Sequence, residues 1–307
     1  MSSADDSMAI LAAFNSPEVE VVGLTTIYGN VPTPMATANA LFLTELAGRE
    51  DVAVCQGALK SLKGVAKERI ADFVHGRDGF GNTGQPAPKG QASGEAAASF
   101  IVRMANEHPG QVVVLALGPL TNVALAMHLD PQLPEKLDRI VVLGGAFFCN
   151  GNVNPAAEAN IFGDPDAANV VFSRASNCWV VGLDVTHACH LTKQQIDTLQ
   201  GRGKHGSFLH AITQFYLQYH KDVYDMDAVY THDAAAFAAV VDPSLFTWLE
   251  GAVVVVSEGV AKGRTIVDEG KKAWVGTNEW MGLPRVKVAT GVKSRHLVEW
   301  VVDRMSR

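Results

Sequence analysis

Short apolar runs alternate along the chain with longer stretches in which apolar residues recur every three or four positions. Residues 112–117 read Val-Val-Val-Leu-Ala-Leu, a continuous run typical of a strand buried on both faces. Further strands are predicted at 19–26, 52–55, Arg139–Leu143 and 179–185. Helices are predicted between them at 33–48, 93–108, 119–129 and after Asp164. This β-α-β-α order predicts an α/β fold whose sheet is mostly parallel and flanked by helices.

The C-terminal part has a different pattern. A long helix is predicted at 208–221, another begins at His232, and a closing helix covers 297–305. Strands predicted at 252–256, 264–268 and 286–289 suggest a small antiparallel addition to the sheet. The sequence contains no repeat and no linker, so we expect residues 1–307 to form a single domain. The first predicted element is a helix at 5–14, although a β-α-β chain normally opens with a strand.

Composition narrows the class of protein. The 307 residues are 48% hydrophobic and 19% charged, which predicts a folded chain with a sizeable core. With 25 Lys and Arg against 32 Asp and Glu, the chain is not expected to bind nucleic acid, although uncharged nucleosides stay possible ligands. Four scattered cysteines, no apolar run long enough to span a membrane and no basic leader predict a cytoplasmic protein.

Two clusters at predicted helix starts have both a structural and a functional interpretation. Asp5 and Asp6 either cap the first helix or bind a hard cation such as Ca²⁺ or Mg²⁺. Thr231 and Asp233 fit the first turn of another helix, so capping explains them well. Capping does not explain His232, the residue type best able to move protons near neutral pH.

Several polar loops follow predicted strands, where parallel sheets usually place their ligand crevice. These loops are 25–30, which contains Asn30, 117–122 and 143–146. Glu158 and Asn160 form a pair that can hold sugar hydroxyls.

Two glycine-rich stretches lie elsewhere in the chain. The loop at 75–82 begins with His75 and has the length of a lid or binding loop. Residues 201–206 match GxGxxG but follow a predicted helix instead of a strand, so we interpret them as a flexible loop.

Five ordered motifs together resemble the inosine-uridine nucleoside hydrolases, also called nucleoside N-ribohydrolases, over nearly the whole chain. Residues 16–26 are especially similar to the plant members of that family. The motifs are Asp5-Asp6-Ser7-Met8-Ala9-Ile10, Thr25-Thr26-Ile27-Tyr28-Gly29-Asn30, Leu117-Gly118-Pro119-Leu120-Thr121-Asn122, Gly151-Asn152 with Glu158-Ala159-Asn160-Ile161, and Thr231-His232-Asp233.

The resemblance implies hydrolysis of a nucleoside to ribose and free base, with Ca²⁺ as cofactor, by a cytosolic homodimer. It implies metal ligation by Asp6, Asp233 and the Leu117 carbonyl, and catalytic roles for Asp5 and His232, the latter near the leaving base. His75 falls in the mobile loop over the pocket, and the region of Tyr216, Tyr219 and Tyr224 resembles a helix that contacts the base. The implied ribose contacts are Asp5, Asn30, Asn152, Glu158 and Asn160.

The chain departs from the family at its beginning. The family opens with a strand ending in Asp-x-Asp-Pro-Gly, and here Met1-Ser2-Ser3-Ala4 stands in its place. The aspartate that ligates Ca²⁺ and acts as general base in the family falls on Met1. Since a general base contributes ~10²–10⁴-fold, we expect impaired hydrolysis. We also expect a sheet neighbour to be left unpaired.

Two other functions stay open on the sequence alone. The first is a non-catalytic truncated homologue that binds ribosides or pairs with an intact subunit. The second is a phosphohydrolase with a metal at Asp5 and Asp6, which the absence of a phosphate-binding loop disfavours.

Overall fold

The computed structural model of the chain describes residues 3–67 and 70–307. The strands within these residues are β1 (Gly23–Thr26), β2 (Ala53–Gln56), β3 (Val113–Ala116), β4 (Arg139–Leu143), β5 (Cys178–Val181), β6 (His190–Thr192), β7 (Ala228–Tyr230), β8 (Phe246–Val255), β9 (Thr265–Asp268) and β10 (Val286–Val292). The α-helices are α1 (Ala4–Phe14), α2 (Thr33–Ala47), α3 (Asp72–His75), α4 (Ala97–Glu107), α5 (Thr121–Leu129), α6 (Leu133–Lys136), α7 (Ala159–Gly163), α8 (Pro165–Arg174), α9 (Leu183–Thr186), α10 (Lys193–Asp197), α11 (Gly203–Tyr224), α12 (His232–Val241) and α13 (Ser294–Met305).

The largest sheet has six strands in the order β3-β4-β5-β10-β8-β9. β3, β4, β5 and β10 run parallel, whereas β8 and β9 join antiparallel beyond β10. A β-bulge between Ala289 and Gly291 interrupts the pairing of β10 with β8. The expected mostly parallel sheet with a small antiparallel C-terminal addition is confirmed, and two short ladders, β1-β2 and β6-β7, complete the topology.

Alternate residues of the central strands supply two apolar layers, one on each face of the sheet. Val141 and Leu143 pack with α1, α11 and α12, whereas Ile140 and Val142 pack with α5 and α8. The fold is therefore a single α/β domain with helices on both faces. Across residues 3–67 and 70–307, no helix combines the length and the apolarity needed to cross a bilayer.

The first helix is almost entirely buried. Ala4, Ala9 and Ala12 of α1 have no more than 1% of their surface exposed, and their small side chains let α12 and α13 approach closely. Met8 and Leu11 fill the core on the same helix. Because α1 and α12 pack together, the polar residues at their amino ends are brought to one place.

A narrow slot separates β1 from β3. Within the described residues no backbone hydrogen bond joins the two strands, and they belong to different sheets. The slot has a volume of about 170 Å³ and is lined by 22–27 on one side and 112–118 on the other. Every residue of β3 is partly exposed, whereas residues 140–143 of the neighbouring β4 are buried. Within the described residues, β1 and β3 therefore each present an edge that faces the slot.

Three local predictions were wrong. The strand predicted at 179–185 ends at Val181, because the chain turns into α9 and the Asp184 carboxylate accepts bonds from Phe147 N (3.0 Å) and Phe148 N (2.6 Å). The strand predicted from residue 19 begins only at Gly23. The GxGxxG stretch is not simply a loop, because its second glycine, Gly203, begins the 22-residue helix α11.

Candidate active site

A buried cluster of carboxylates lies at the amino ends of α1 and α12. Ser3 caps α1, and its N–H and Oγ–H both donate to Asp6 Oδ2, at 3.0 and 2.7 Å. Asp5 Oδ2 in turn accepts a bond from the backbone N–H of Asp233 at 3.3 Å. The capping interpretation therefore holds for one oxygen of Asp6, while Asp5 links the two helices.

Burial and mutual repulsion disfavour the ionised carboxyls of this cluster. Desolvation raises the pKa of Asp5 well above its usual range, and the neighbouring Asp6 charge raises it further. Asp233 behaves in the same way, with desolvation first and the charges of Asp6 and Asp5 next. In the described part of the chain, Asp5 Oδ1 is buried without a hydrogen-bond partner. Such a group of hard oxygen donors gains most from a nearby cation.

The carboxylate cluster is not a complete metal-binding site. Among residues 3–67 and 70–307, no three or more His, Cys, Asp or Glu side chains are grouped closely enough to hold a metal ion. The Leu117 carbonyl, predicted as a ligand, accepts a bond from Asn160 Nδ2 at 3.2 Å. The orphaned oxygen of Asp5 and the chemistry of the donors fit a hard divalent cation, but their arrangement is incomplete. The predicted role of Met1 lies outside the described residues.

A second wall of the site, formed by Glu158 and Asn160, is held in place by hydrogen bonds within the protein. Glu158 caps α7, and its carboxylate accepts bonds from the backbone N–H groups of Asn160, Ile161 and Gly145, at 2.8, 3.0 and 3.1 Å. Asn160 Nδ2 donates to the carbonyls of Leu117, which directly follows β3, and of Leu143, which ends β4. The pair is therefore held in place by the carboxyl ends of the parallel strands.

The two other predicted ribose contacts lie at the edges of this wall. Asn30 follows β1, and its Nδ2 donates to Ser3 Oγ at 3.1 Å, which connects it to the carboxylate cluster. Asn152 is exposed, and its Oδ1 accepts a bond from Ala159 N at 2.9 Å.

Aromatic and imidazole rings form a third wall. His75 is the last residue of α3, and its ring lies 4.8 Å from that of Tyr216 on α11. Burial, together with the charge of His220, lowers the pKa of His75 to about 3, so the ring is neutral at pH 7. His75 is therefore the one buried residue of the short helix α3, and the glycine-rich loop predicted to carry it follows at Gly76.

His232 is oriented by a hydroxyl. Its Nδ1 lies 2.7 Å from Thr186 Oγ1 at the end of α9, and its ring centroid lies 5.2 Å from that of Tyr230. Burial, with His187 and His220 as further causes, holds the pKa of His232 well below its usual range. The neutral ring offers one protonated and one unprotonated nitrogen, and the bond to Thr186 favours one of the two tautomers.

Sequence reasoning missed four residues of this wall, namely Thr186, His187, His220 and Tyr230. His187 and Thr186 follow β5, so the rule for carboxyl ends of parallel strands would have found them had the strand not been extended to residue 185. His220 lies one turn after Tyr216 on α11, with ring centroids 4.4 Å apart. Tyr230 ends β7, a strand too short for an alternating pattern to be visible.

The three walls enclose a cavity of about 470 Å³. Eight of the ten predicted site residues line it: Asp5, Asn30, His75, Asn152, Glu158, Asn160, His232 and Asp233. The predicted ligands Asp6 and Leu117 lie behind this surface, and Leu117 lines the slot between β1 and β3 instead. Tyr216, Tyr219 and Tyr224 also line the cavity, as the resemblance implied for that helix.

Comparisons with known proteins agree with this arrangement. Residues 2–299 match the family model described as inosine-uridine preferring nucleoside hydrolase. The chain is 47% identical to probable uridine nucleosidase 2 of Arabidopsis thaliana over 302 residues, covering 98% of this chain and 94% of that protein. It is 36% identical to the pyrimidine-specific ribonucleoside hydrolase RihA of Citrobacter koseri over 267 residues, covering 86% and 85% of the two chains.

Solved structures show the same fold. A plant nucleoside hydrolase superposes with a TM-score of 0.97 at 46% identity, and a purine-preferring ribonucleoside hydrolase from Gardnerella vaginalis with 0.92 at 33%. Each match covers 99% of this chain and 96% of the other. The likeness to plant relatives expected from residues 16–26 is confirmed. The chain belongs to the inosine-uridine preferring nucleoside hydrolase family, whose enzymes are hydrolases acting on N-glycosyl compounds.

Proposed function

We propose that this chain cleaves the N-glycosidic bond of ribonucleosides, with uridine as the first substrate to test, and uses Ca²⁺ as cofactor. The observation that carries the proposal is the cavity between three chemically different walls. Buried carboxylates lie on one wall, a hydrogen-bonded Glu–Asn pair on the second, and neutral imidazole and phenol groups on the third. The names of the plant relatives support uridine as substrate.

The Glu–Asn wall suits the sugar. Glu158 keeps lone pairs for ribose hydroxyls because a carboxylate accepts about four bonds and three are used within the protein. Burial raises the pKa of Glu158, and its three backbone hydrogen bonds oppose this shift. In its ionised form the carboxylate also stabilises the oxocarbenium character that develops on the ribose as the bond breaks. Asn160 holds its position through the Leu117 and Leu143 carbonyls, so little reorganisation is needed during the reaction.

The carboxylate wall suits a hard cation. We assign Asp6, Asp233 and the Leu117 carbonyl as ligands and Asp5 as a ribose contact. When bound, Ca²⁺ would lower the pKa of a water molecule and offset the repulsion among these carboxylates. In this chain the Ser3 hydroxyl occupies Asp6 Oδ2, which reduces what Asp6 can offer.

The third wall receives the leaving base. His232 is neutral, so its role is to donate a hydrogen bond from a ring nitrogen to the base rather than to supply a stored charge. In this proposal the Thr186 hydroxyl donates to Nδ1 of His232, which leaves the ring proton on Nε2 for the base. Tyr216 keeps its proton, because burial and the charges of Asp5 and Asp233 raise the pKa of its phenol.

We further propose that hydrolysis by the chain as printed is impaired, because the aspartate expected at position 1 is absent from it. The test is a restored chain in which Met1→Asp, Ser2→Pro and Ser3→Gly are preceded by Val-Ile-Val-Ile-Asp-Thr. Ribose release from uridine, inosine, adenosine and xanthosine is measured with Ca²⁺. If neither chain releases ribose from any of the four, the proposed activity is wrong.

The slot between β1 and β3 favours a second candidate, a non-catalytic chain that binds ribosides or pairs with an intact subunit. Calorimetry distinguishes the two, because this candidate predicts riboside binding without turnover by the chain as printed. A homodimer and a cytoplasmic location stay predictions from the sequence, which sedimentation velocity and cell fractionation test.

A further inference from the structure

Three lysines line the cavity, and one of them has no partner in the described part of the chain. Lys63 pairs with Asp166 at 3.1 Å, and the Lys262 ammonium lies 5.3 Å from the centre of the Phe162 ring. Lys67 is half-buried, and among the described residues its side chain makes neither an ion pair nor a hydrogen bond. Because a partly buried charge without a partner is costly, Lys67 has the most to gain from a ligand.

The Lys67 ammonium lies near both the Glu–Asn wall and the third wall. Burial raises the pKa of Glu158, and the Lys67 charge is among the causes that oppose this shift. Burial lowers the pKa of His75, and the charges of His220 and Lys67 lower it further. The pKa of Lys67 is itself lowered by burial, which the charge of Glu158 opposes. Lys67 is therefore within electrostatic reach of both walls without a direct ion pair to either.

The backbone is anchored to the cavity walls on both sides of Lys67. Leu62 N donates to Asp164 Oδ2 at 2.8 Å, and Asp164 is itself buried. Ala71 N donates to the Asn30 carbonyl at 2.9 Å. Since these bonds are made by backbone groups, a change in the Lys67 side chain should alter ligand contacts more than the fold.

Lys67 and Glu158 offer complementary groups to a single hydroxyl. An ammonium has three N–H donors and no acceptor, whereas the Glu158 carboxylate keeps acceptor positions free after its three backbone bonds. A sugar hydroxyl both donates and accepts, so it can donate to Glu158 while it accepts from Lys67. Hydrogen bonds to charged groups contribute more than those between neutral groups.

We propose that Lys67 is a ribose-binding residue, whose ammonium donates to a sugar hydroxyl that Glu158 binds at the same time. The inference rests on the proposed function, because it takes a riboside as the ligand. The contact forms when the riboside binds and is kept while the glycosidic bond breaks. Because the ribose gains positive charge during cleavage, a cation beside it strengthens binding and does not add to the acceleration.

The test measures binding of pseudouridine by calorimetry with Ca²⁺, in the full chain as printed and in the restored chain. Pseudouridine keeps the ribose and a uracil base, but its glycosidic bond joins two carbons, so hydrolysis does not disturb the measurement. Lys67→Met removes the donors and keeps the length of the side chain, so Kd should rise at least about tenfold. Lys60→Met, at an exposed position that does not line the cavity, is the matched control and should keep Kd within about twofold.

Two further measurements separate a bound hydroxyl from a structural role. Lys67→Arg keeps a cationic donor, so its Kd should stay within about threefold of the unsubstituted chain. The 2′-, 3′- and 5′-deoxy forms of pseudouridine each lack one hydroxyl. For the hydroxyl that Lys67 binds, the rise in Kd on its removal should be at least about fivefold smaller in Lys67→Met. Equal losses in Lys67→Met and Lys67→Arg, or the same effect of every hydroxyl in both chains, would overturn the inference.

Ribose release from uridine is measured for the same chains. Where turnover occurs, Lys67→Met should raise KM at least about tenfold and leave kcat within about threefold. Weaker pseudouridine binding in Lys67→Met without ribose release by any chain keeps the ribose contact and contradicts the proposed function. Ribose release with Kd and KM unchanged in Lys67→Met keeps the proposed function and overturns the contact. Absence of pseudouridine binding in both the chain as printed and the restored chain would also overturn it.

Discussion

The two polar walls of the cavity differ in how complete they are. Glu158 and Asn160 have their partners within the protein, at distances of 2.8 to 3.2 Å. On the carboxylate wall Asp5 keeps a buried oxygen with no partner in the described residues, and burial, followed by the like charges of Asp6 and Asp5, raises the pKa of Asp233. The Glu–Asn wall is therefore held in place by the protein alone, whereas the carboxylate wall keeps an unsatisfied oxygen and like charges that repel one another.

The largest expected effect comes from removing one charge of the carboxylate wall. In the restored chain Asp233→Asn should lower kcat/KM for uridine by ~10³-fold, within the range for removal of a metal or general-base function. Without Ca²⁺ the same change should raise the free energy of unfolding by about 1 kcal/mol at pH 7, because it removes an unfavourable buried charge. Asp222→Asn, at an exposed position of α11, is the control. Lower stability without Ca²⁺ would contradict this view of the wall.

A change in the Glu–Asn wall should lower the stability of the protein as well as its activity. Asn160→Ala leaves the Leu117 and Leu143 carbonyls without this donor, so we expect a loss of about 1–3 kcal/mol of stability and ~10²-fold in kcat/KM. Asn169→Ala is matched, since Asn169 makes two bonds to Val255 in another part of the fold. It should lose similar stability and keep its activity. Equal activity losses in both variants would show that Asn160 acts through stability alone.

Loss of the hydroxyl that orients His232 should lower activity less than the two changes above. Thr186→Val removes the hydroxyl bonded to His232 Nδ1 and keeps the volume. We expect kcat to fall by roughly tenfold, with KM within about twofold, because a misplaced hydrogen bond affects the transition state most. Thr213→Val on α11, whose hydroxyl bonds to the Leu209 carbonyl, is the matched control. A change in KM alone would exclude a role in positioning the histidine.

His75 should influence stability in acid. Its pKa of about 3 in the folded state lies below the usual 6.5, so the unfolded chain binds more protons between these values. The stability contributed by the neutral ring is present above pH 6.5 and is lost as pH falls toward 3, by up to about 1.4 kcal/mol per pH unit. In His75→Gln this part of the acid dependence should be absent in denaturant titrations. If the pH dependence of the free energy of unfolding is unchanged in His75→Gln, the His75 ring is exposed to water in the folded state.

Much of this architecture was predictable because local patterns agree with the fold. The apolar run around β3, the helix start at Asp164 and the strand β9 were assigned near their true positions, whereas β8 begins six residues before its predicted start. The strand predicted to continue through Val185 failed for a tertiary reason, since the Asp184 carboxylate binds the backbone of Phe147 and Phe148, far away in sequence.

The site itself was predictable only in part. Ordered motifs predicted Glu158, Asn160 and His232, which line one cavity. The bond between Ser3 Oγ and Asp6 was missed although Ser3-x-x-Asp6 has the spacing of a capping box at a helix start. Thr186 was missed because the strand before it was predicted to run to residue 185, although β5 ends at Val181.

The measurement that tests the account most directly is ribose release from uridine by two chains, with Ca²⁺ and with a chelator. The restored chain should turn over uridine at least about 10²-fold faster than the chain as printed, and chelation should abolish the difference. Equal rates for the two chains, or rates unaffected by the chelator, would contradict the claim that the carboxylate wall is the incomplete part of this site.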